Sequence, residues 1–388
     1  MAEWKTVRLG TIASTNQDTY SPKENWQFIN YLDTGNITMN RIDEVQHINT
    51  SMDKLPSRAK RKVKSNSIIY STVRPNQLHY GIIKEQPENF LVSTGFTVID
   101  VNMEKAVPDY IYYVLTQKEI TEHLQAIAEQ SVSAYPSLKP SDIENLEVLL
   151  PDIDTQKATV AILGVIDEKI KQNTEINNNL EQQAQAIYNN MVTYSVDDTL
   201  PTEWYKGTVE DIIEIHDSKR IPLSGQARQK MEKKTYPYYG AASLMDYVDD
   251  YIFEGKYLLL GEDGTVVDAA GFPILQYVWG KFWVNNHAHI LTGKHGFTVE
   301  SLMLLFRSTP VKSIVTGAVQ PKISQANLKS IPVVIPSEAV LSELNNAIEP
   351  LFSRIRVNIE ENKSLAALRD ALLPKLMSGE IDVSDITF

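Results

Sequence analysis

The 388-residue sequence contains no cysteine, which excludes disulfide frameworks, thiolate metal sites, iron–sulfur clusters and cysteine nucleophiles. It also lacks an uncharged apolar run near the ~20 residues that a membrane span needs. No basic segment followed by an apolar stretch opens the chain, so a cytoplasmic protein without membrane attachment is expected. With only 17 Gly and 18 Pro against 43% hydrophobic residues, collagen-like and disordered classes are excluded. Basic charge is also in short supply: 37 basic and 49 acidic groups leave a net charge of -12, which at first reading argues against a nucleic-acid partner. The length is enough for two or three domains, each with its own core.

The whole-chain charge conceals its distribution. Residues 1–150 carry 15 basic and 18 acidic groups and residues 201–336 carry 14 of each, whereas 151–200 carry 3 and 8, and 337–388 carry 5 and 9. Most of the acidic excess thus lies in the two short segments, and the larger ones are free to offer locally basic faces. An internal repeat explains the division. Displacing the sequence by 185 residues aligns 134–198 with 319–383 without a gap, with identities at Pro136/Pro321, Pro151/Pro336, Ile170/Ile355, Asn173/Asn358, Glu175/Glu360, Asn177/Asn362, Leu180/Leu365, Ala186/Ala371 and Asp197/Asp382. Apolar character also matches at Leu138/Ile323, Ile143/Leu328, Leu146/Ile331 and Leu150/Ile335. Upstream the match loosens: Trp4 answers Trp204, and Ser67-Ile68-Ile69-Tyr70 resembles Tyr257-Leu258-Leu259-Leu260. The chain reads as a tandem duplication, with front domains at 1–150 and 201–336 and repeated helical segments at 151–200 and 337–388.

Both front parts read as α+β domains. Short β-branched runs such as Thr97-Val98-Ile99 and Pro332-Val333-Val334-Ile335 lie between turn signals at Thr34-Gly35-Asn36 and Asp263-Gly264. A helix is expected over 109–129 from the spacing of Ile111, Val114, Leu115, Ile120, Leu124 and Ile127. Pro151 and Pro336 mark the starts of two long helices.

In the first of these, Leu163, Ile166, Ile170, Asn173, Asn177, Leu180, Ala184, Ile187 and Met191 follow alternating steps of three and four. The second gives Ile348, Leu351, Ile355, Asn358, Asn362, Leu365, Arg369, Leu372 and Leu376. This is coiled-coil spacing. Each helix could instead pack on its own domain, but Asn at the same two seam positions favours mutual pairing, since an amide set against Leu would be buried without a partner. A duplicated rod closes most simply when antiparallel, giving a pseudo-twofold molecule with a front domain near each end. From Leu163 to Met191 the rod spans roughly 42 Å, close to the about 34–36 Å of one DNA turn. Pro374, where the first copy has Asn189, is expected to kink or end the second helix near Leu373 and leave Leu376 outside the seam.

Candidate phosphate contacts cluster in each front domain. Residues 54–64 hold six cations, among them Arg58, Lys60, Arg61, Lys62 and Lys64, and the second domain has Lys219-Arg220 followed by Arg228, Lys230, Lys233 and Lys234. A charge run is usually a solvated face; paired occurrence on a twofold frame favours anchoring of phosphates. Side chains able to read base edges occur at Arg74, Asn76 and Gln77, and at Gln320 and Lys322. The aligned loops 131–139, with Ser133 and Tyr135, and 316–324 differ where their flanks agree, which suits two unlike half-sites as well as it suits drift.

Catalytic patterns fail on context. Pro151-Asp152 with Asp167-Glu168-Lys169 has the residues of a metal-dependent nuclease, but on a long helix they cannot converge on a metal from a sheet. His287, His289 and His295 could form a metal cluster, yet alternate residues on a strand more often make ordinary contacts, so no metal site is expected. Gly261-Glu-Asp-Gly264 lacks the Lys-Ser/Thr of a phosphate-binding loop and reads as a turn. There is no Gly-x-Gly-x-x-Gly, Gly-x-Ser-x-Gly or Asn/Asp-Pro-Pro-aromatic motif. No enzyme is expected, and no catalytic residue is assigned.

Two variable domains alternating with two repeated helices, the segment Ser133-Ala-Tyr-Pro-Ser-Leu-Lys-Pro-Ser-Asp142, Tyr236-Pro-Tyr-Tyr-Gly-Ala241 and Leu368-Arg-Asp-Ala-Leu-Leu-Pro-Lys-Leu-Met-Ser-Gly-Glu-Ile381 together resemble the specificity subunit of a type I restriction-modification system. The resemblance implies a non-catalytic reader of double-stranded DNA. Its two target-recognition domains would bind the halves of a bipartite site, and its helices would space them and dock two modification subunits. It further implies that methyl transfer to adenine from S-adenosylmethionine occurs in those partners, that restriction subunits using ATP and Mg join the full complex, and that this chain holds no cofactor. A protein-binding scaffold and an autonomous nuclease or methyltransferase are the competing readings.

Overall fold

The structure is a computed structural model describing residues 4–131, 135–317 and 319–383. Its contacts divide the chain into two units, Met1–Lys171 with Asn362–Phe388, and Gln172–Glu361. Each unit takes one front domain and one part of each long helix, because the helices Ile153–Met191 and Glu338–Met377 continue through the boundaries.

In the first unit, one four-stranded sheet orders Gln46–Asn49, Phe28–Leu32, Phe90–Ser93 and Ala59–Lys62. A second orders Ala13–Thr15, Phe96–Val101, Ser67–Ser71 and Tyr80–Ile83. Strand alternation explains the uninterrupted apolar run at 67–70: Ile68 and Tyr70 join one core cluster, whereas Ile69 faces another, so both sheet faces are covered. The second unit has one six-stranded sheet, ordered Ile213–Ile215, Ala288–Gly293, Phe253–Gly261, Leu275–Val284, Tyr236–Tyr239 and Leu244–Val248. There Leu258 and Leu260 enter one cluster and Leu259 the opposite one.

The duplication seen in the sequence extends to the framework. Lys5–Arg8 pairs antiparallel with Glu147–Leu150, and Tyr205–Thr208 pairs the same way with Pro332–Ile335. The amide of Leu9 donates to the carbonyl of Leu146 at 2.9 Å, and that of Val209 to Ile331 at 2.9 Å. Short helices at Pro140–Glu144 and Gln325–Lys329 follow the two repeated loops. The helix expected over 109–129 is two helices, Pro108–Leu115 and Lys118–Glu129; Thr116 closes the first, and the extended backbone of Gln117 starts the second.

Within the first unit, Asp167 meets Arg369 and Ile170 meets Asn362; within the second, Asn173 meets Glu361 and Asn177 meets Asn358. As one helix advances its partner recedes, so the helical segments of each unit are antiparallel. The second helix does not end near Leu373; it continues through Pro374 to Met377. The proline lacks one helical N–H, but Leu373, Leu376 and Met377 around it are buried in the first unit's core, and that packing holds the last turn. Leu376 is thereby inside the packed region. Among the described residues, no helix is long and apolar enough to cross a membrane.

Candidate nucleic-acid interface

The two repeated loops are held in the same way. In the first unit, the amide of Leu138 donates to the carbonyl of Thr72 at 2.7 Å, Ser137 bridges Val73, and the amide of Arg74 donates to Pro136 at 3.1 Å. In the second, Ile323 donates to Glu262 at 2.9 Å, Lys322 bridges Asp263, and Gly264 donates to Pro321 at 2.9 Å. Pro136, Ser137 and Leu138 align with Pro321, Lys322 and Ile323 in the sequence repeat, and their partners follow the equivalent strands Ser67–Ser71 and Phe253–Gly261. Each domain therefore presents a loop anchored by backbone hydrogen bonds to a central strand, a rigid base for side chains that must find a fixed geometry.

One position separates the two domains. Gly264 has φ +94°, and its counterpart Arg74 has φ +49°. A left-handed conformation is freely open to glycine but costs an ordinary L-residue roughly 1–2 kcal/mol. It is further disfavoured before a proline, here Pro75. The Arg74 guanidinium lies 5.0 Å from the centre of the Tyr135 ring, and no ion pair of Arg74 forms among the described residues. Asn76 and Gln77 are exposed beside it on the short turn Pro75–Gln77, which Gln125 holds by accepting from the Asn76 amide at 3.2 Å. Ser133 lies outside the described residues.

The other sequence candidates divide by their partners. Arg58 and Lys60 are exposed, Lys60 and the half-buried Arg61 lying on Ala59–Lys62. Lys62 pairs with Glu24 at 2.5 Å and lies over Trp26, while Lys64 pairs with Asp100 at 3.3 Å. In the second unit, Arg228 lies over Tyr238 and bonds Asp246 at 3.1 Å; Lys234 also reaches Asp246, at 3.3 Å, and Lys230 and Lys233 are exposed. Gln320 is exposed, and Lys322 pairs with Glu262 at 3.4 Å. Spacing along the sequence gave no sign of which cations are neutralised, because Asp100 and Asp246 come from other strands.

Sequence reasoning also missed a buried polar group behind the second loop. His289 does not gather with His287 and His295 in a metal cluster; it meets Asp217 and Glu262. Its Nδ1 lies 2.6 Å from Oδ2 of Asp217 and its Nε2 lies 2.8 Å from the carbonyl oxygen of Ile323. Asp217 also accepts from Gln325 at 2.6 Å and from the amide of Ile290 at 3.0 Å. Glu262 is paired with Arg220 at 2.5 Å as well as with Lys322. Both ring nitrogens and both carboxylates are thus engaged with protein, which braces the second loop from behind, in a group whose ligand atoms all lie within 4.8 Å of one another. Burial raises the Asp217 carboxyl, but the His289 hydrogen bond and charge, the Ile290 amide and Arg220 outweigh it and hold the group below its ordinary value. The Gly-Glu-Asp-Gly turn was the available signal.

The seam residues sit mostly inside. Leu163, Ile166, Asn173, Asn177, Ile348, Ile355 and Asn358 are buried, and Ile170, Leu180, Ile187, Leu351, Asn362, Leu365 and Leu372 are partly buried. Tyr188 and Phe352 are also buried there, although the three-and-four spacing omits them. In the first unit Arg369 bonds Asp167 at 3.0 Å, and Tyr113 donates to the same carboxylate at 2.7 Å, tying the helices to the front domain. In the second, Glu300 does this through Lys256 at 2.6 Å, Tyr277 at 2.6 Å and Arg356 at 3.3 Å.

A family model described as type I restriction modification DNA specificity domain matches residues 1–182 and 201–348. The chain is 32% identical over 190 residues to the type I restriction enzyme HindI specificity subunit of Haemophilus influenzae, an alignment covering 48% of this chain and 40% of that protein. To the MjaIX specificity subunit of Methanocaldococcus jannaschii it is 24% identical over 326 residues, 75% of this chain and 73% of that one. The crystal structure of the type I restriction-modification S subunit from M. genitalium shares the fold, with a TM-score of 0.55 at 16% identity and coverage of 97% and 96%. Matched along both halves, the chain belongs to the family of type I restriction-modification DNA specificity domains.

Proposed function

We propose that this chain is the DNA-reading subunit of a type I restriction-modification complex. Residues 1–150 and 201–336 act as target-recognition domains, each reading one half of a bipartite site in double-stranded DNA, and 151–200 and 337–388 act as the spacer that docks two methyltransferase subunits. The observation that carries this reading is the pair of identically anchored loops, which offer different side chains at the same place: Arg74 and Tyr135 in one domain, Gly264 and Gln320 in the other. A common scaffold with unlike readers suits an asymmetric target. Arg58, Lys60, Arg61, Lys62, Lys64, Arg228, Lys230, Lys233 and Lys234 serve phosphates, and Arg74, Asn76, Ser133, Tyr135, Gln320 and Lys322 serve the grooves.

The chain itself performs no chemistry. Methyl transfer from S-adenosylmethionine belongs to the docked methyltransferases, and ATP- and Mg-dependent restriction to further subunits. The test is to map methylated adenines in a host carrying this chain with its methyltransferase, alongside gel-shift titrations with and without that partner. A bipartite methylated sequence, bound specifically by the complex, is the expected result. Methylation without a common sequence, or metal-dependent cleavage by the purified chain alone, would overturn the proposal.

A further inference from the structure

The left-handed position that hydrogen-bonds to each anchored loop makes an internal comparison between two copies of one scaffold. Where the second domain has Gly264, the residue type this conformation favours, the first has Arg74, held against its backbone preference and followed by a proline. Strain at a single exposed position persists when the side chain is needed there. That side chain is exposed, lies over the ring of Tyr135 and forms no ion pair among the described residues, so the planar guanidinium rests against the ring without being neutralised. The cations Lys62 and Lys64 of the same domain, in contrast, are paired with carboxylates.

We propose that Arg74 is a specificity-determining residue of the first half-site, presenting its paired N–H donors to the O6 and N7 of one guanine in the major groove. A fixed planar fork matches those two acceptors, and no other base offers the pair. The backbone at Arg74 is anchored through the Pro136 carbonyl and the Val73–Ser137 bridge, which fixes the point from which the side chain reaches. Gly264 has no side chain to make such a contact, so the second half-site is read by other residues. The inference rests on the DNA-reading role proposed above.

The test uses the complex with its methyltransferase, after the target has been mapped for the unaltered protein. Binding and methylation are measured on duplexes in which each base pair of the target is replaced in turn, for the unaltered chain, Arg74→Gly and Arg74→Lys, together with thermal unfolding. Arg74→Gly restores the residue of the second domain, so its unfolding temperature should be unchanged or higher. Its preference for one G·C pair in one half-site should fall from about ten- to a hundredfold to near none, with the other half-site read as before. Arg74→Lys keeps the charge and should lose most of the same preference. Uniform weakening on every duplex with a shallower salt dependence would mark a phosphate contact and overturn the inference. So would unchanged specificity or a lowered unfolding temperature for Arg74→Gly. If the unaltered complex shows no bipartite target, the broader reading fails as well, and that is known before any variant is made.

Discussion

Asn358 donates through Nδ2 to Oδ1 of Asn177 at 2.8 Å, joining the two long helices by a buried amide pair in the second unit. Such a pair is weak as a source of stability and strong as a register key, since displacement along the seam breaks it and leaves at least one of the seam amides against an aliphatic neighbour. Asn177→Leu strands the Asn358 donor and should cost roughly 1–3 kcal/mol, read as a lowered unfolding temperature. Asn177→Leu with Asn358→Leu should recover most of that loss. A double variant as unstable as the single would show that the pair does not act as a unit.

The Asp217 carboxyl is held below its ordinary value of 3.8 despite burial, by His289, Ile290 and Arg220. A depressed acid stabilises the fold above its unfolded value and ceases to do so as pH falls through the folded one. The second unit should therefore lose this contribution as the solution is acidified below about pH 4. Asp217→Asn should be less stable at neutral pH, and the difference from the unaltered protein should narrow on acidification. Equal stability differences at pH 7 and pH 3 would contradict the assignment.

Lys60 is exposed, whereas Lys62 on the same strand is tied to Glu24 at 2.5 Å. Under the proposed function, Lys60→Gln should weaken DNA binding alike for all sequences and reduce the salt slope by about one. Lys62→Gln should change both less, because its charge is already partly compensated. Titrations at several salt concentrations, compared between the two variants, check the ordering.

Gly317 opens the second reading loop at φ +86°, and a Cβ placed there would lie 2.2 Å from the carbonyl oxygen of Gln320. Gly317→Ala must displace the backbone of Gln320 to fit. It should impair recognition of the second half-site while the first is read normally, with an unfolding temperature lowered by no more than a few degrees, since the strain is confined to an exposed loop. Gly264→Ala meets no atom within 4 Å and bears only backbone strain, so its effect on binding should be smaller.

Much of the framework was legible before any coordinates. The repeat aligned Pro136, Ser137 and Leu138 with Pro321, Lys322 and Ile323, and these prove to be the residues that anchor both loops. Pro151 and Pro336 mark helix starts because proline is compatible with a helix entry and poorly tolerated inside. Pro374 did not end the second helix, because burial of Leu373, Leu376 and Met377 outweighs one missing hydrogen bond. Phe352 and Tyr188 escaped the seam pattern because the helices also pack on a front domain, which widens the buried stripe beyond a two-helix seam.

The sequence by itself determined the duplication, the helical periodicity and the residue types offered at each loop, all of which are properties of order along the chain. Tertiary structure decided which of the cations are paired with carboxylates. Lys64 meets Asp100, Arg228 meets Asp246, and His289 meets Asp217 and Glu262 only because strands distant in sequence become neighbours. It also decided that Arg74 occupies a backbone state its side chain disfavours, since the hydrogen bond to Pro136 that holds it there comes from the repeated loop, far along the chain. Local pattern fixes what a segment can do, and long-range pairing selects which of those possibilities it keeps.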